Sequence, residues 1–317
     1  MNRLFLKESD VQALAPMADV INALEEAFRH QAEGSAFNNP RTRLKMPGST
    51  LHILPAAIPG YFGYKAYTSA AGGARFLFFL FQAGSTDLLA IMQADVLGQI
   101  RTGAATGLAT RLMANPDAAD ATLFGAGWQA QSQLLAMDAV CNLKRVHIVN
   151  RKKERREEFI RKMQPQVKTQ LLEAESAEGA VRISQIVTTM TSSREPVLKG
   201  EWLQPGTHVN AAGGNLLLRR ELDDEAVLRS ARVVVDSIEQ AKLEAGEFVG
   251  PIETGRRHWE NFIELREVVS GTKAGRTNPQ EITLFKSVGL GLEDVAIAKL
   301  VYERAIERKM GAPLVNF

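Results

Sequence analysis

Leu123-Phe124-Gly125-Ala126-Gly127-Trp128-Gln129-Ala130 is the stretch that decides the fold. An apolar strand pattern, Ala121 to Phe124, runs straight into a G-x-G-x-x-A turn, and a helical pattern follows at once. In that setting each small residue has its own task. Gly125 permits the tight turn, Gly127 lets the backbone approach a pyrophosphate, and Ala130 keeps the helix close to the sheet while its first N–H groups face the phosphates. A glycine-rich turn with no ligand is the plainer reading. The flanking strand and helix, with a second strand at the expected distance, favour a dinucleotide.

Outward from this turn, short apolar runs alternate with helical stretches between about Ala118 and Gly291: Arg145 to Val149, Ile186 to Thr189, His208 to Asn210 and Val233 to Val235. Strand, helix, strand is the pattern of a parallel sheet. Before it lies a different kind of sequence. Val20, Ile21, Leu24, Ala27 and Phe28 recur at helical spacing from Met17 to Ala32, and strand-like runs follow at Thr50 to Leu54, Gly63 to Thr68 and Arg75 to Gln82. Pro/Gly turns separate those runs, which points to an antiparallel or mixed sheet. From Val96 to Ala114, the small residues Gly103, Ala104, Ala105, Gly107 and Ala109 suit a helix pressed closely on a neighbour. Leu292 to Ile306 reads as one amphipathic helix.

Composition narrows the classes. The 317 residues suggest about two domains. With 45% hydrophobic residues there is material for a large core, which excludes disorder. A net charge of +2 offers no chain-wide field for nucleic acid, so any anion site is local. The apolar run Phe76 to Phe81 is far too short to cross a bilayer. A lone cysteine, Cys141, and an opening Met1 to Glu8 that meets a charge too early for a signal peptide give the expectation of a cytoplasmic protein. Five histidines show no metal-ligand spacing, and Ser9, Ser69 and Cys141 lack the context of a covalent nucleophile. No metal site is expected.

The second strand ends in Asn150-Arg151-Lys152-Lys153, where a site selective for NAD usually presents an acid to the ribose hydroxyls. Pairing with Glu154, Glu157 and Glu158 along a solvated helix is the plain account of these cations. The alternative is that Arg151 meets a 2′-phosphate, which makes NADP the expected cofactor, with NAD as the second choice.

Several segments in order carry a resemblance across essentially the whole chain. They are Asn39-Pro40-Arg41, Gly63-Tyr64-Lys65, Ala94-Asp95-Val96 through Gln99-Ile100-Arg101-Thr102-Gly103-Ala104-Ala105-Thr106, Gly125 to Ala130, Ser193 to Leu198, Asn210 to Gly214, Val235-Asp236-Ser237 and Lys286-Ser287-Val288-Gly289. The chain resembles the ornithine cyclodeaminase/mu-crystallin family, whose members set a nicotinamide cofactor against an amino acid or imine. The resemblance implies a substrate-binding set of Arg41, Lys65 and Arg101, the arginines gripping a carboxylate and Lys65 bonding to it or moving a proton at the substrate nitrogen. It also implies a cofactor-binding set of Thr102, Gly125, Gly127, Gln129, Asn150, Arg151 and Gly289. A surface salt bridge is the plain reading of each cation; Arg101 stands out because its helix neighbours are too small to cover it.

The sequence departs from the cyclodeaminase pattern at Asn215, which matches an aspartate that contacts the substrate amine. Paired with Lys65 as a catalytic candidate, Asn215 can hydrogen-bond an amine or imine but cannot act as a base near neutral pH. Leu216-Leu217-Leu218 follow it, read either as core or dimer packing or as an apolar pocket mouth. Asp236 reads as a helix cap or as a site residue.

The expected architecture is α/β: a Rossmann-type doubly wound parallel sheet over residues 116–291, inserted into a discontinuous α+β domain of residues 1–115 and 292–317. By resemblance the outer domain binds substrate and builds a homodimer; neither nucleic acid nor a membrane is an expected partner. The expected activity is reduction of an imine, first of all a cyclic ketimine such as Δ1-pyrroline-2-carboxylate. Ornithine cyclodeaminase, alanine or other amino-acid dehydrogenase, and a non-catalytic ligand-binding protein are the alternatives.

Overall fold

The computed structural model describes residues 3–314, so Met1 and Asn2, on which the reading of the N-terminus leaned, lie outside the described residues. Two compact units divide the chain: residues 1–101 with 290–317, and residues 102–289. The division falls inside a helix, ahead of the boundary expected at residues 115 and 116.

The first unit runs β1 (Leu4–Leu6), α1 (Glu8–Leu14), α2 (Met17–Ala32), β2 (Phe37–Asn38), β3 (Thr42–Met46), β4 (Ser49–Ile58), β5 (Tyr61–Ala70), β6 (Gly73–Gln82) and β7 (Leu88–Gln93), followed by α3 (Asp95–Met113). Its sheet has the order Ala312–Pro313, β1, β7, β6, β5, β4, β2, with β3 also on β4. β1 and β7 pair in parallel and the remaining pairs are antiparallel. Strand alternation gives the sheet two faces. On one, the cross-strand row Leu54, Lys65, Phe78 and Met92 is buried, and the C-terminal helix Gly291–Arg308 packs on β4 and β5. Gly291 permits that approach, since a Cβ there would stand 2.8 Å from the Leu54 carbonyl oxygen. The other face carries Pro55, Tyr64, Phe79 and Ile91 in one row and Ala57, Phe62, Phe81 and Leu88 in the next. Phe62 stacks on Phe81 and Tyr64 on Phe79, and Phe62 stays 40% exposed. Exposed apolar patches on a sheet face often mark interaction sites.

The second unit contains the parallel sheet expected around the glycine turn, with three strands beyond the five read from the sequence: β8 (Asp120–Phe124), β9 (Arg145–Val149), β10 (Gln170–Glu173), β11 (Ile186–Thr189), β12 (His208–Ala211), β13 (Arg232–Val235), β14 (Ile263–Glu264) and β15 (Thr283–Lys286). Every pair is parallel, in the order β10-β9-β8-β11-β12-β15-β13-β14. The strand order reverses between β8 and β11, and ligands bind at the carboxyl ends of such a switch point. Two apolar clusters hold the sheet. One gathers Leu123, Leu134, Val146 and Ile148 around α4 (Trp128–Val140); the other gathers Val187, Val209, Val233 and Leu284. In this unit Gly103 of α3 lies against α4, where a Cβ would stand 2.3 Å from the Ser132 carbonyl oxygen; Thr106 Oγ1 donates to Gln133 Oε1 at 2.6 Å. That is the close helix contact the small residues suggested. Among the described residues no helix is long and apolar enough to cross a membrane.

Candidate active site

A cleft of about 1010 Å³ opens at the carboxyl ends of β8, β9 and β11, lined by Phe124 to Ala130, Val149 to Lys152, Met190 to Ser193, Gly213 and Arg219 among others. Its floor depends on a missing side chain. Gly125 has φ +108°, and a Cβ there would lie 2.2 Å from the Met190 carbonyl oxygen. Gly127, the residue before α4, has nothing within 4 Å of the place a Cβ would take, so its backbone faces open space. Ala130 is buried against the sheet. The cleft therefore fits a dinucleotide: a tight turn, an uncovered backbone and the N-terminus of a thirteen-residue helix.

Of the expected cofactor residues, Gly125, Gly127, Gln129, Asn150 and Arg151 line this cleft, and Thr102 and Gly289 are absent from its lining. Thr102 is buried within α3. Gly289 has φ +81° and belongs to a buried turn: its N–H and that of Val288 donate to Asp236 Oδ2, each at 2.7 Å, and its carbonyl accepts from Gln240 Nε2. Asp236 thus ties this turn in place, while its neighbour Ser237 caps helix Ile238–Glu244. Asn150 Oδ1 accepts from the Lys152 N–H at 3.0 Å, and its carbonyl accepts from Arg156.

The basic run after β9 divides. Lys153 pairs with Glu157 and Arg155 with Glu158 along α5 (Lys153–Met163), as the solvated-helix reading anticipated, and Arg156 pairs with Glu173. Arg151 lines the cleft and has no ion-pair partner among the described residues.

In the first unit Arg41, Lys65 and Arg101 are 6%, 2% and 8% exposed, so the plain reading of surface salt bridges fails for all three. Arg101 is covered after all, by acids of another helix rather than by its own neighbours. Its guanidinium donates to Glu293 Oε2 at 2.8 Å and lies 3.3 Å from Asp294 Oδ1; Lys65 Nζ donates to the same Asp294 oxygen at 2.8 Å. Burial pushes the Lys65 ammonium down to about 8; Asp294 opposes that shift, while Arg101 and Arg41 add to it. A lysine in this state is a ready proton donor near neutral pH.

Sequence reasoning missed Glu293 and Asp294, since acids in the first turn of a helix already have a reason to be there in the helix dipole. It also missed a buried network beside Asn215. Glu221 accepts from Thr189 Oγ1 and from the Thr191 and Gly213 N–H groups, and Lys286 Nζ donates to the Gly214 carbonyl at 2.6 Å and pairs with Glu247 at 3.3 Å. Asn215 itself is half-buried. Leu216, Leu217 and Leu218 are 42%, 45% and 91% exposed, which removes core packing as their explanation. Histidines behave as structural groups: His208, wholly buried, bonds Thr283 Oγ1 and Asn210 Oδ1.

Known proteins share this fold and much of its sequence. A Δ1-pyrroline-2-carboxylate reductase of Bacillus cereus is 39% identical, over 73% of this chain and 70% of that protein. The structure of Thermococcus litoralis Δ1-pyrroline-2-carboxylate reductase in complex with NADH and L-proline superposes with a TM-score of 0.92 at 33% identity, covering 98% of this chain and all (100%) of that one. An archaeal alanine dehydrogenase dimer with bound NAD gives 0.93 at 34% identity, covering 100% of both chains. The model of the ornithine cyclodeaminase/mu-crystallin family matches residues 1–309, and the chain belongs to that family.

Proposed function

We propose that the protein is an NAD(P)-dependent oxidoreductase acting on an imine or α-amino acid, and that its first substrate is a cyclic ketimine of the Δ1-pyrroline-2-carboxylate type. The observation that carries this reading is Lys65, a cation held beside Arg101 in an otherwise apolar buried row. Arg41 and Arg101 grip the substrate carboxylate, Arg101 presenting a planar fork that suits it. Lys65 gives a proton to the substrate nitrogen, and solvent restores it. A reduced nicotinamide, when bound, supplies the hydride for the carbon next to the carboxylate. Hydride to carbon and proton to nitrogen together turn the C=N bond into a CH–NH bond.

Asn215 hydrogen-bonds the nitrogen without taking its proton. That supports reduction over ornithine cyclisation, which needs a carboxylate base at this position by resemblance. Arg151, lining the cleft without an acid partner, supports NADP as the preferred cofactor; the NADH and NAD in the two similar structures support NAD as the second reading. Similarity to the archaeal alanine dehydrogenase supports amino-acid dehydrogenation as the alternative reaction, with the same parts run in reverse. The apolar outer face of the first unit's sheet supports a homodimer.

The test offers NADPH and NADH with Δ1-pyrroline-2-carboxylate, with pyruvate plus ammonia, and with ornithine. The fastest cofactor oxidation is expected with the cyclic imine and NADPH, giving proline. Proline and ammonia from ornithine without net cofactor change contradicts the proposal, as does absence of turnover throughout despite tight cofactor binding.

A further inference from the structure

A buried glutamate joins three segments of the second unit that line its cleft. Glu221, 1% exposed, accepts at Oε1 from the Thr191 N–H at 2.6 Å, and at Oε2 from the Gly213 N–H at 2.8 Å and from Thr189 Oγ1 at 2.9 Å. Its backbone carbonyl accepts from the Val197 N–H at 2.7 Å. Thr191, Val197 and Gly213 line the cleft, and Glu221 is absent from its lining. The clasp is tight at Gly213, where a Cβ would stand 2.5 Å from both Glu221 Oε1 and the Thr191 nitrogen.

The residue type matters here. A carboxylate only accepts, so its two oxygens serve all three donors at once; a glutamine in its place would turn an NH2 group toward one of them. Burying an ionised group is costly, and bonds from N–H and O–H groups to the charged form offset that cost. Lys286 and Glu247, equally buried, brace the same loop. Lys286 Nζ donates to the Gly214 carbonyl at 2.6 Å and pairs with Glu247 Oε2 at 3.3 Å, while Glu247 Oε1 accepts from the Glu221 N–H at 3.2 Å.

We propose that Glu221 is a positioning residue of the dinucleotide cleft: its carboxylate holds the loops after β11 and β12 at a fixed separation and so shapes the part of the cleft that takes the nicotinamide half. β11 and β12 lie beyond the switch point, in the half of such a sheet that receives the second mononucleotide, while the glycine turn and the end of β9 serve the adenine half. Glu221 acts through Thr191 and Gly213, and the loop it holds also carries Asn215. The inference rests on the reading of this cleft as the dinucleotide site.

The experiment compares Glu221→Gln with the parent protein by calorimetric titration of NADPH, NADH and the adenine halves alone, 2′,5′-ADP and ADP. Affinity for the preferred whole dinucleotide is expected to fall about tenfold or more as charge-assisted bonds are lost. Affinity for the matching adenine half is expected to stay within about twofold, because that half binds away from the clasp. Equal losses for whole and half, with a lowered melting temperature, mark a merely structural role and overturn the proposal; unchanged affinity for the whole dinucleotide overturns it too. Thr189→Val keeps the shape of β11 and removes one donor to Glu221, so it is expected to give the same split at about threefold. Equal losses in that variant also contradict the proposal. Titration needs no turnover, so the result is independent of which reaction is catalysed. A parent protein that binds none of the four ligands contradicts the reading of the cleft itself, and the role of Glu221 with it.

Discussion

The two units receive negative charge by opposite means. In the second, recognition is made of backbone and empty space: Gly125 at φ +108°, Gly127 uncovered, and the first N–H groups of α4. In the first it is made of ionised side chains, buried with their own counter-charges at 2.8 to 3.3 Å. Backbone N–H groups carry no charge to desolvate and can remain exposed until a ligand arrives. Ionised side chains in a core cannot, so the first unit keeps acid partners beside its cations. The glycine cradle is a local feature of one turn, and the ionic cluster is assembled from four elements or loops far apart in the chain.

The contrast can be broken most readily at Arg101. Arg101→Met leaves Glu293 and Asp294 short of a counter-charge and is expected to cost about 3–5 kcal/mol of stability, read as a lowered melting temperature. The second effect is smaller in energy but sharper in kind. Gly125→Ala places a methyl against the Met190 carbonyl in a backbone region alanine avoids, so cofactor affinity should fall by about tenfold or more. Binding of pyrrole-2-carboxylate to the same variant should be unchanged; a matching loss would mean the two sites are not separate in kind. Smallest is Arg155→Ala on the surface of the second unit, where the 3.4 Å pair with Glu158 is solvated and its loss is expected to stay within about 0.5 kcal/mol. A cost comparable to that of Arg101→Met would erase the distinction between buried and exposed pairs.

The same contrast explains which features were legible in the sequence. The strand, turn and helix around Gly125 were legible because the motif is contiguous and each glycine has a single reason to be there. Helix Met17–Ala32 was legible in full because its apolar spacing is regular. Several strands were not. β10 is an edge strand with one fully buried residue, Leu171, and β14 has only two residues, so neither offers an apolar alternation to recognise. β15, with Lys286 as its last residue, hides a wholly buried lysine in what reads as a polar end. The expected division after Asn115 did not anticipate that the boundary between the units falls inside α3, because a run of small residues signals close packing without saying on what. The cations of the first unit were legible through family resemblance alone. Their acids were hidden by the helix dipole, which accounts for Glu293 and Asp294 without any site.

The proposed reaction passes a hydride from a nicotinamide to the carbon that bears the carboxylate. Following a turnover with cofactor deuterated at the transferring carbon, and examining the product by proton NMR, tests it directly. Proline carrying one deuterium at its α-carbon is expected, formed from Δ1-pyrroline-2-carboxylate as the cofactor is oxidised. Proline formed without deuterium at that carbon, or deuterium retained in the cofactor, would contradict it.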